Sequence, residues 1–166
     1  TKQIWSGLSS RLKPEFQAIA KNDDVTITRK RFWELTKVTD EWVRRFGTAN
    51  LPVYDASCPM AFEDPKNAEA NWLQSGEHLM NPYMGLRMQQ CGTLEAQIVE
   101  AKPISLKPEA NEALESILTA YFALKDELVA GKDEESRSAA AKLVAAIDAF
   151  DQAKLESASV SAQWQE

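Results

Sequence analysis

The stretch Leu114-Glu115-Ser116-Ile117-Leu118-Thr119-Ala120-Tyr121-Phe122-Ala123-Leu124-Lys125-Asp126-Glu127-Leu128-Val129-Ala130-Gly131-Lys132-Asp133 decides the fold class. Leu114, Ile117, Leu118, Tyr121, Leu124 and Leu128 recur at steps of three and four, with polar residues between them. That spacing draws one apolar stripe along a helix. Pro108 suits the first position of such a helix, and Gly131-Lys132-Asp133 reads as a turn. The pattern predicts a helix over 108–130. Beyond the turn, Ala139, Leu143, Ala146, Ile147, Phe150 and Leu155 repeat the spacing in an alanine-rich segment, which predicts a second helix over 134–157. Alanine has the highest helix propensity and lets a neighbouring helix come close.

A similar pair is written at the other end of the chain. Ile4, Trp5, Leu8, Leu12, Phe16 and Ile19 form a stripe over 2–21, with Pro14 inside it as an expected kink or break near Lys13. Asn22-Asp23-Asp24 is a turn signal, and Thr26 is the expected cap of a helix over 27–46. That helix carries Ile27, Phe32, Leu35, Val38, Trp42, Val43 and Phe46, and Gly47 is its expected stop. Two such pairs predict an all-α fold: one domain over 1–166, a four-helix bundle with a long connection over 48–106.

Composition agrees with a packed domain. The chain has 166 residues, of which 44% are hydrophobic, enough for a core without staples. Lys and Arg number 19 against 25 Asp and Glu, a net charge of −6. An acidic chain makes poor electrostatic contact with nucleic acid, so no nucleic-acid partner is expected. The basic run Arg29-Lys30-Arg31 and the pair Arg44-Arg45 are expected to face carboxylates. No apolar run approaches the roughly 20 residues that cross a bilayer. Thr1 to Trp5 reads as helix rather than leader, so any export signal is expected outside this sequence.

The connection is different in kind. It holds five of the seven prolines, all four methionines and both cysteines. Short helical turns are expected at 66–74 and 82–90, and short extended pieces at Gln97-Ile98-Val99 and Ile104; the rest is expected to be loop. A loop of that length in a compact domain is usually functional or held down by something specific. Three fragments concentrate the chemistry: Cys58-Pro59-Met60-Ala61, Asn81-Pro82-Tyr83-Met84-Gly85 and Met88-Gln89-Gln90-Cys91-Gly92. Thiolate and thioether are soft donors that suit Cu(I) or Ag(I) better than hard cations. Cys58 and Met60 lie two apart. Met88 and Cys91 lie three apart, on one face of a helical turn. The two half-sites predict a sulfur-rich pocket of Cys58, Met60, Met88 and Cys91. His78 and Met84 are secondary candidate ligands. Two cysteines and one histidine are too few for a zinc site of Cys and His alone.

A disulfide is the competing reading. Closing a loop of about 32 residues is worth roughly 3–4 kcal/mol in the chain-entropy model. Spacing alone leaves disulfide and metal site level. Met80 and Met84 also fit as core filler, and Trp72 and Tyr83 as core or pocket wall. No nucleophile triad, phosphate-binding loop, Cys-x-x-Cys or haem attachment sequence is present, so a binding module is expected rather than an enzyme. A thiol redox enzyme is the weakest class and predicts a low-pKa cysteine.

At these fragments the sequence resembles a helical domain family of unknown function. That family is found alone or at the C-terminus of CusB-like periplasmic adaptor subunits of heavy-metal RND efflux systems. The resemblance rests on Cys58-Pro59-Met60-Ala61, Trp72-Leu73, Asn81-Pro82-Tyr83-Met84-Gly85 and Met88-Gln89-Gln90-Cys91-Gly92, with Met84 where the family usually has Phe. Arg31-Phe32 and the run into Phe46-Gly47 resemble the segment that precedes the cysteine motif. The family's first helices resemble Tyr121-Phe122-Ala123-Leu124-Lys125-Asp126-Glu127-Leu128 and the helix 136–150, which here follow the Cys-Gly segment instead of preceding it. A circular permutation, a cut through a tandem array, or a second copy in a preceding part each gives that order. A cut array would also allow helices to swap between chains. The resemblance implies a periplasmic or envelope location, Cu(I) or Ag(I) handling through Cys58, Met60, Met88 and Cys91, and efflux-system proteins as partners.

Overall fold

The computed structural model describes residues 2–63, 69–98 and 108–149. Among them are four helices: α1 (Lys2–Ala20), α2 (Val25–Phe46), α3 (Pro108–Ala130) and α4 (Asp133–Ala149). Three strands, β1 (Tyr54–Cys58), β2 (Ala70–Gln74) and β3 (Thr93–Gln97), form an antiparallel sheet in the order β2-β1-β3. The architecture is therefore mostly helical with a small sheet, which corrects the all-α expectation.

The helices follow their apolar stripes. Leu8, Leu12, Phe16 and Ile19 of α1 are buried, as are Phe32, Leu35, Val38, Trp42, Val43 and Phe46 of α2. On α3 and α4 the buried set includes Leu114, Ile117, Leu118, Tyr121, Leu124, Leu128, Leu143 and Ile147. They belong to one cluster that also takes in Val53, Ala56, Cys58, Ala70, Trp72, Leu73 and Tyr83 from the connection. Burying each large side chain contributes about 1.5–3 kcal/mol against leaving it in water. α1 packs on both α2 and α4, and α3 packs on α4. Lys13 of α1 and Asp148 of α4 add an ion pair at 2.5 Å across one of these seams.

Helix ends show where local chemistry departs from the sequence reading. α1 runs on through Pro14 instead of breaking at Lys13. α2 is capped by Asp24, not Thr26: the Asp24 side chain accepts from the Thr26 N–H at 2.7 Å and the Ile27 N–H at 3.3 Å. A carboxylate there satisfies two orphan amides and sits favourably at the positive end of the helix dipole. Gly47 ends α2 as expected, at φ 95° with its N–H on the Val43 carbonyl. α4 begins at Asp133, one residue before the expected start; residues 150–157 of its predicted span lie outside the described residues.

The connection is organised around the sheet. Pro52 and Pro59 bracket β1, which pairs with β2 from Tyr54↔Gln74 to Cys58↔Ala70. Over 70–74, β2 stands in place of the helical turn expected at 66–74, of which residues 66–68 lie outside the described residues. It carries buried residues on both faces (Ala70, Trp72, Leu73 and Gln74), so it shows no period-two alternation to read. β1 pairs with β3 on its other side, and the register skips Glu95 between the pairs Asp55↔Ala96 and Ala56↔Leu94. β3 lies earlier than the extended piece expected at 97–99, and Ile104 is outside the described residues. The turn expected at 82–90 contains one short 3-10 helix, Gly85–Arg87.

One buried tyrosine ties these layers together. The Tyr121 hydroxyl lies 2.7 Å from Thr36 Oγ1 of α2, and the Leu73 N–H of β2 donates to it at 3.3 Å. Thr36 Oγ1 already donates to the Phe32 carbonyl at 3.0 Å. A hydroxyl has one proton, so Tyr121 must donate to Thr36. The Tyr121 ring also stacks on Phe32, with centroids 5.1 Å apart. Burial raises its pKa well above the ordinary phenol value, which keeps the donated proton in place.

Candidate functional site

Alternation along β1 turns Ala56 and Cys58 toward the core, and Cys58 is fully buried. Cys91 ends a tight turn whose N–H donates to the Met88 carbonyl at 3.0 Å, and it remains partly exposed. The two fragments converge. Cys58 Sγ and Cys91 Sγ lie 3.3 Å apart, and both are free thiols. A disulfide needs sulfurs at about 2.0 Å, so this is a non-bonded contact between two S–H groups. The neighbouring thiol and partial desolvation raise the Cys91 pKa. That direction is opposite to the one an activated, nucleophilic cysteine requires.

Gly92 makes the approach possible. Its φ is +124°, and a Cβ built there would lie 2.1 Å from the Ser57 carbonyl oxygen and 3.3 Å from Trp72 Cη2. A side chain at this position cannot coexist with β3 lying against Ser57, the residue before Cys58. The glycine of the Cys91-Gly92 pair thus sets how closely the second cysteine approaches the first.

The turn that delivers Cys91 is built on two buried amides. Asn81 Oδ1 accepts from the Tyr83 N–H at 2.8 Å and the Met84 N–H at 3.1 Å, the geometry that Asn-Pro favours. Its Nδ2 donates to the Cys91 carbonyl at 2.7 Å. Gln74 Oε1 accepts from Trp72 Nε1 and the Met80 N–H, while its Nε2 donates to the carbonyls of Gly76 and His78. Tyr83 closes the wall: its hydroxyl donates to the Asn71 carbonyl, and its ring meets Trp72 edge-on at 5.9 Å. From α2, Arg29 Nε donates to the Pro82 carbonyl at 3.0 Å, and its guanidinium lies where Gly85 has no side chain. Burial of this guanidinium lowers its pKa, against the opposing pull of Asp133.

Of the residues expected in the site, the structure brings Cys58 and Cys91 into contact. Met60 and Met88 stand on the surface, 56% and 44% exposed, two residues after Cys58 and three before Cys91. Met84 is partly buried against the core, in keeping with its filler role. His78 is exposed, with its carbonyl rather than its ring engaged. Among the described residues, no group of three His, Cys, Asp or Glu side chains could hold a metal ion. The two thiols by themselves are soft donors, which suit a soft monovalent cation better than a hard one. Of the basic residues expected to face carboxylates, Arg31 pairs with Glu15, Arg44 with Asp40 and Asp55, and Arg45 with Glu41, whereas Arg29 donates to the Pro82 carbonyl. Among the described residues, no helix is long and apolar enough to cross a membrane.

Residues 117–166 match the family model described as a protein of unknown function, DUF3347. The match covers most of α3, all of α4 and the residues that follow. The Cys58, Asn81 and Cys91 fragments lie outside it. No curated protein and no solved structure matches the chain.

Sequence reasoning names the two cysteines, gives Tyr83 as core or pocket wall, which it is, and quotes Asn81 and Gly92 without a role; it does not name Gln74. Asn81, Gln74, Tyr83 and Gly92 work through backbone groups, which no ligand-spacing pattern contains. The one signal for them was local: an Asn-Pro turn, and a glycine directly after a cysteine.

Proposed function

We propose that the chain is a soft-metal binding module, holding Cu(I) or Ag(I) with the Cys58 and Cys91 thiolates and with Met60 and Met88 as flanking thioether donors. His78 and Met84 are the secondary donors. The observation that carries this reading is the 3.3 Å contact between two free thiols that are 33 residues apart in the chain. Two thiols that meet, with a methionine two or three residues from each in the chain, offer soft sulfur donors and little to Mg, Ca or Mn. The module acts as a sensor, chaperone or docking unit and not as an enzyme. Its setting is the bacterial periplasm or envelope, and its partners are heavy-metal efflux proteins of the CusB-like adaptor kind. What supports that setting is the resemblance carried by the cysteine and Asn-Pro fragments; the family matched over residues 117–166 is itself of unknown function. In this reading the rotated order reflects permutation or repetition of the domain.

An anaerobic competition titration against a Cu(I) chelator tests the site. Wild type is expected to hold one Cu(I) more tightly than Cys91→Ser by at least about tenfold; equal affinities would remove the site. The same contact favours a second reading, in which Cys58 and Cys91 form a disulfide that pins a protein-interaction module. Counting thiols on unreduced protein separates the two: two free thiols favour the metal, none the disulfide.

A further inference from the structure

The contact between Cys58 and Cys91 needs the Cys91 backbone fixed from two sides. On the β3 side, Thr93 pairs with Ser57 and Gly92 lies on the Ser57 carbonyl. On the other side stands Asn81, fully buried. Its backbone N–H donates to the Gln89 carbonyl at 2.8 Å, and its Nδ2 to the Cys91 carbonyl at 2.7 Å. Its Oδ1 takes the amides of Tyr83 and Met84. One side chain therefore closes the loop 81–91 on itself and anchors the end that bears the thiol.

We propose that Asn81 is the positioning residue of the thiol pair: by holding the Cys91 carbonyl it keeps Cys91 Sγ against Cys58 Sγ, so that the two sulfurs act as one bidentate group. The task demands asparagine. It needs a donor and an acceptor on one planar group at this reach. Aspartate has the same shape but presents an oxygen to the Cys91 carbonyl, and alanine presents nothing. This inference rests on the thiol pair being the functional site, but it concerns sulfur proximity, which can be read without any metal.

The measurement is the equilibrium between the full-length protein and glutathione. The Cys58 and Cys91 S–H bonds break and one S–S bond forms between them. Glutathione disulfide takes up the two electrons and two protons, and its S–S bond breaks to give two thiols. The constant is an effective concentration of one thiol at the other. Asn81→Asp is expected to lower it about tenfold, and Asn81→Ala at least as much. Leu118→Ala, which opens a cavity in the core of α3 and removes none of the hydrogen bonds of the turn, is expected to leave it within about twofold of wild type. An Asn81→Asp constant within twofold of wild type would overturn the proposal. So would an equal fall in Leu118→Ala, since general loosening would then be the cause. Circular dichroism checks that each variant is folded. If the Asn81 variants are not, the wild-type Asn81 side-chain amide protons decide. Slow exchange in the reduced protein and a shift on disulfide closure support the role; free exchange overturns it. A chain that binds no Cu(I) yet shows the Asn81 effect would sink the metal reading and leave this one standing.

Discussion

The α3–α4 hairpin and the connection between α2 and α3 hold their shapes by different means. The hairpin is a repetition of one rule: Leu114, Leu118, Tyr121, Leu124, Leu143 and Ile147 each bury an apolar side chain, and losing one leaves the others in place. The connection has a smaller share of such residues and relies on single groups with single partners, such as Asn81 on Cys91 or Gly92 against Ser57. Redundant packing tolerates drift in sequence, whereas a one-to-one polar clamp does not. The family match falls on the hairpin, and the sulfur chemistry falls in the connection.

That contrast can be broken by substitution. Leu118→Ala is expected to cost about 3–4 kcal/mol in chemical denaturation, since Leu118 is fully buried, while the glutathione equilibrium of the thiols is unchanged. Gly92→Ala is expected to cost about 2–3 kcal/mol from its left-handed backbone and the Ser57 clash, and to separate the thiols as well. Should Gly92→Ala leave the thiol equilibrium intact, the two regions are not independent in the way described. Tyr121→Phe is expected to cost about 1–2 kcal/mol, because the buried Leu73 N–H loses the hydroxyl it donates to and the Thr36 oxygen loses the proton it accepts; a thermal melt reads this.

Acidity gives a finer test. The Cys91 pKa is raised, so its thiol carries a proton at neutral pH that a bound metal must displace. Apparent Cu(I) affinity is therefore expected to rise with pH up to the thiol pKa and to fall in acid, by up to about tenfold per unit for each thiol displaced. A chelator competition run between pH 6 and 8 checks the sign, and a flat profile would mean that no thiol loses a proton. Lys13→Ala marks the small end: the Lys13–Asp148 pair is exposed and is expected to contribute about 0.5 kcal/mol or less.

How much was legible follows the same division. The stripes of α2 and α3 could be read to within a residue or two because their apolar period is long and uninterrupted. The sheet could not. β2 is buried on both faces and so lacks alternation, and β1 is five residues between two prolines. Asp24 rather than Thr26 caps α2, a contest between neighbouring residues that pattern alone leaves open. The meeting of Cys58 and Cys91 was legible as residue type and spacing. Its mechanism was not, because it depends on a carbonyl, an amide and the absence of a side chain.

The skipped residue Glu95 has a consequence for the molecule in a crowded compartment. Among the described residues β3 is an outer strand of the sheet, and an outer strand in general offers unpaired amides and carbonyls to an extended chain that drifts past. Glu95 interrupts the even ladder that a second strand would need, and its carboxylate is held at the surface by the Ser57 hydroxyl at 2.9 Å. An irregular, negatively charged rim is a poor template for growth. The strand that follows Cys91-Gly92 thus carries at Glu95 an irregularity and a charge of the kind that disfavours edge-to-edge pairing.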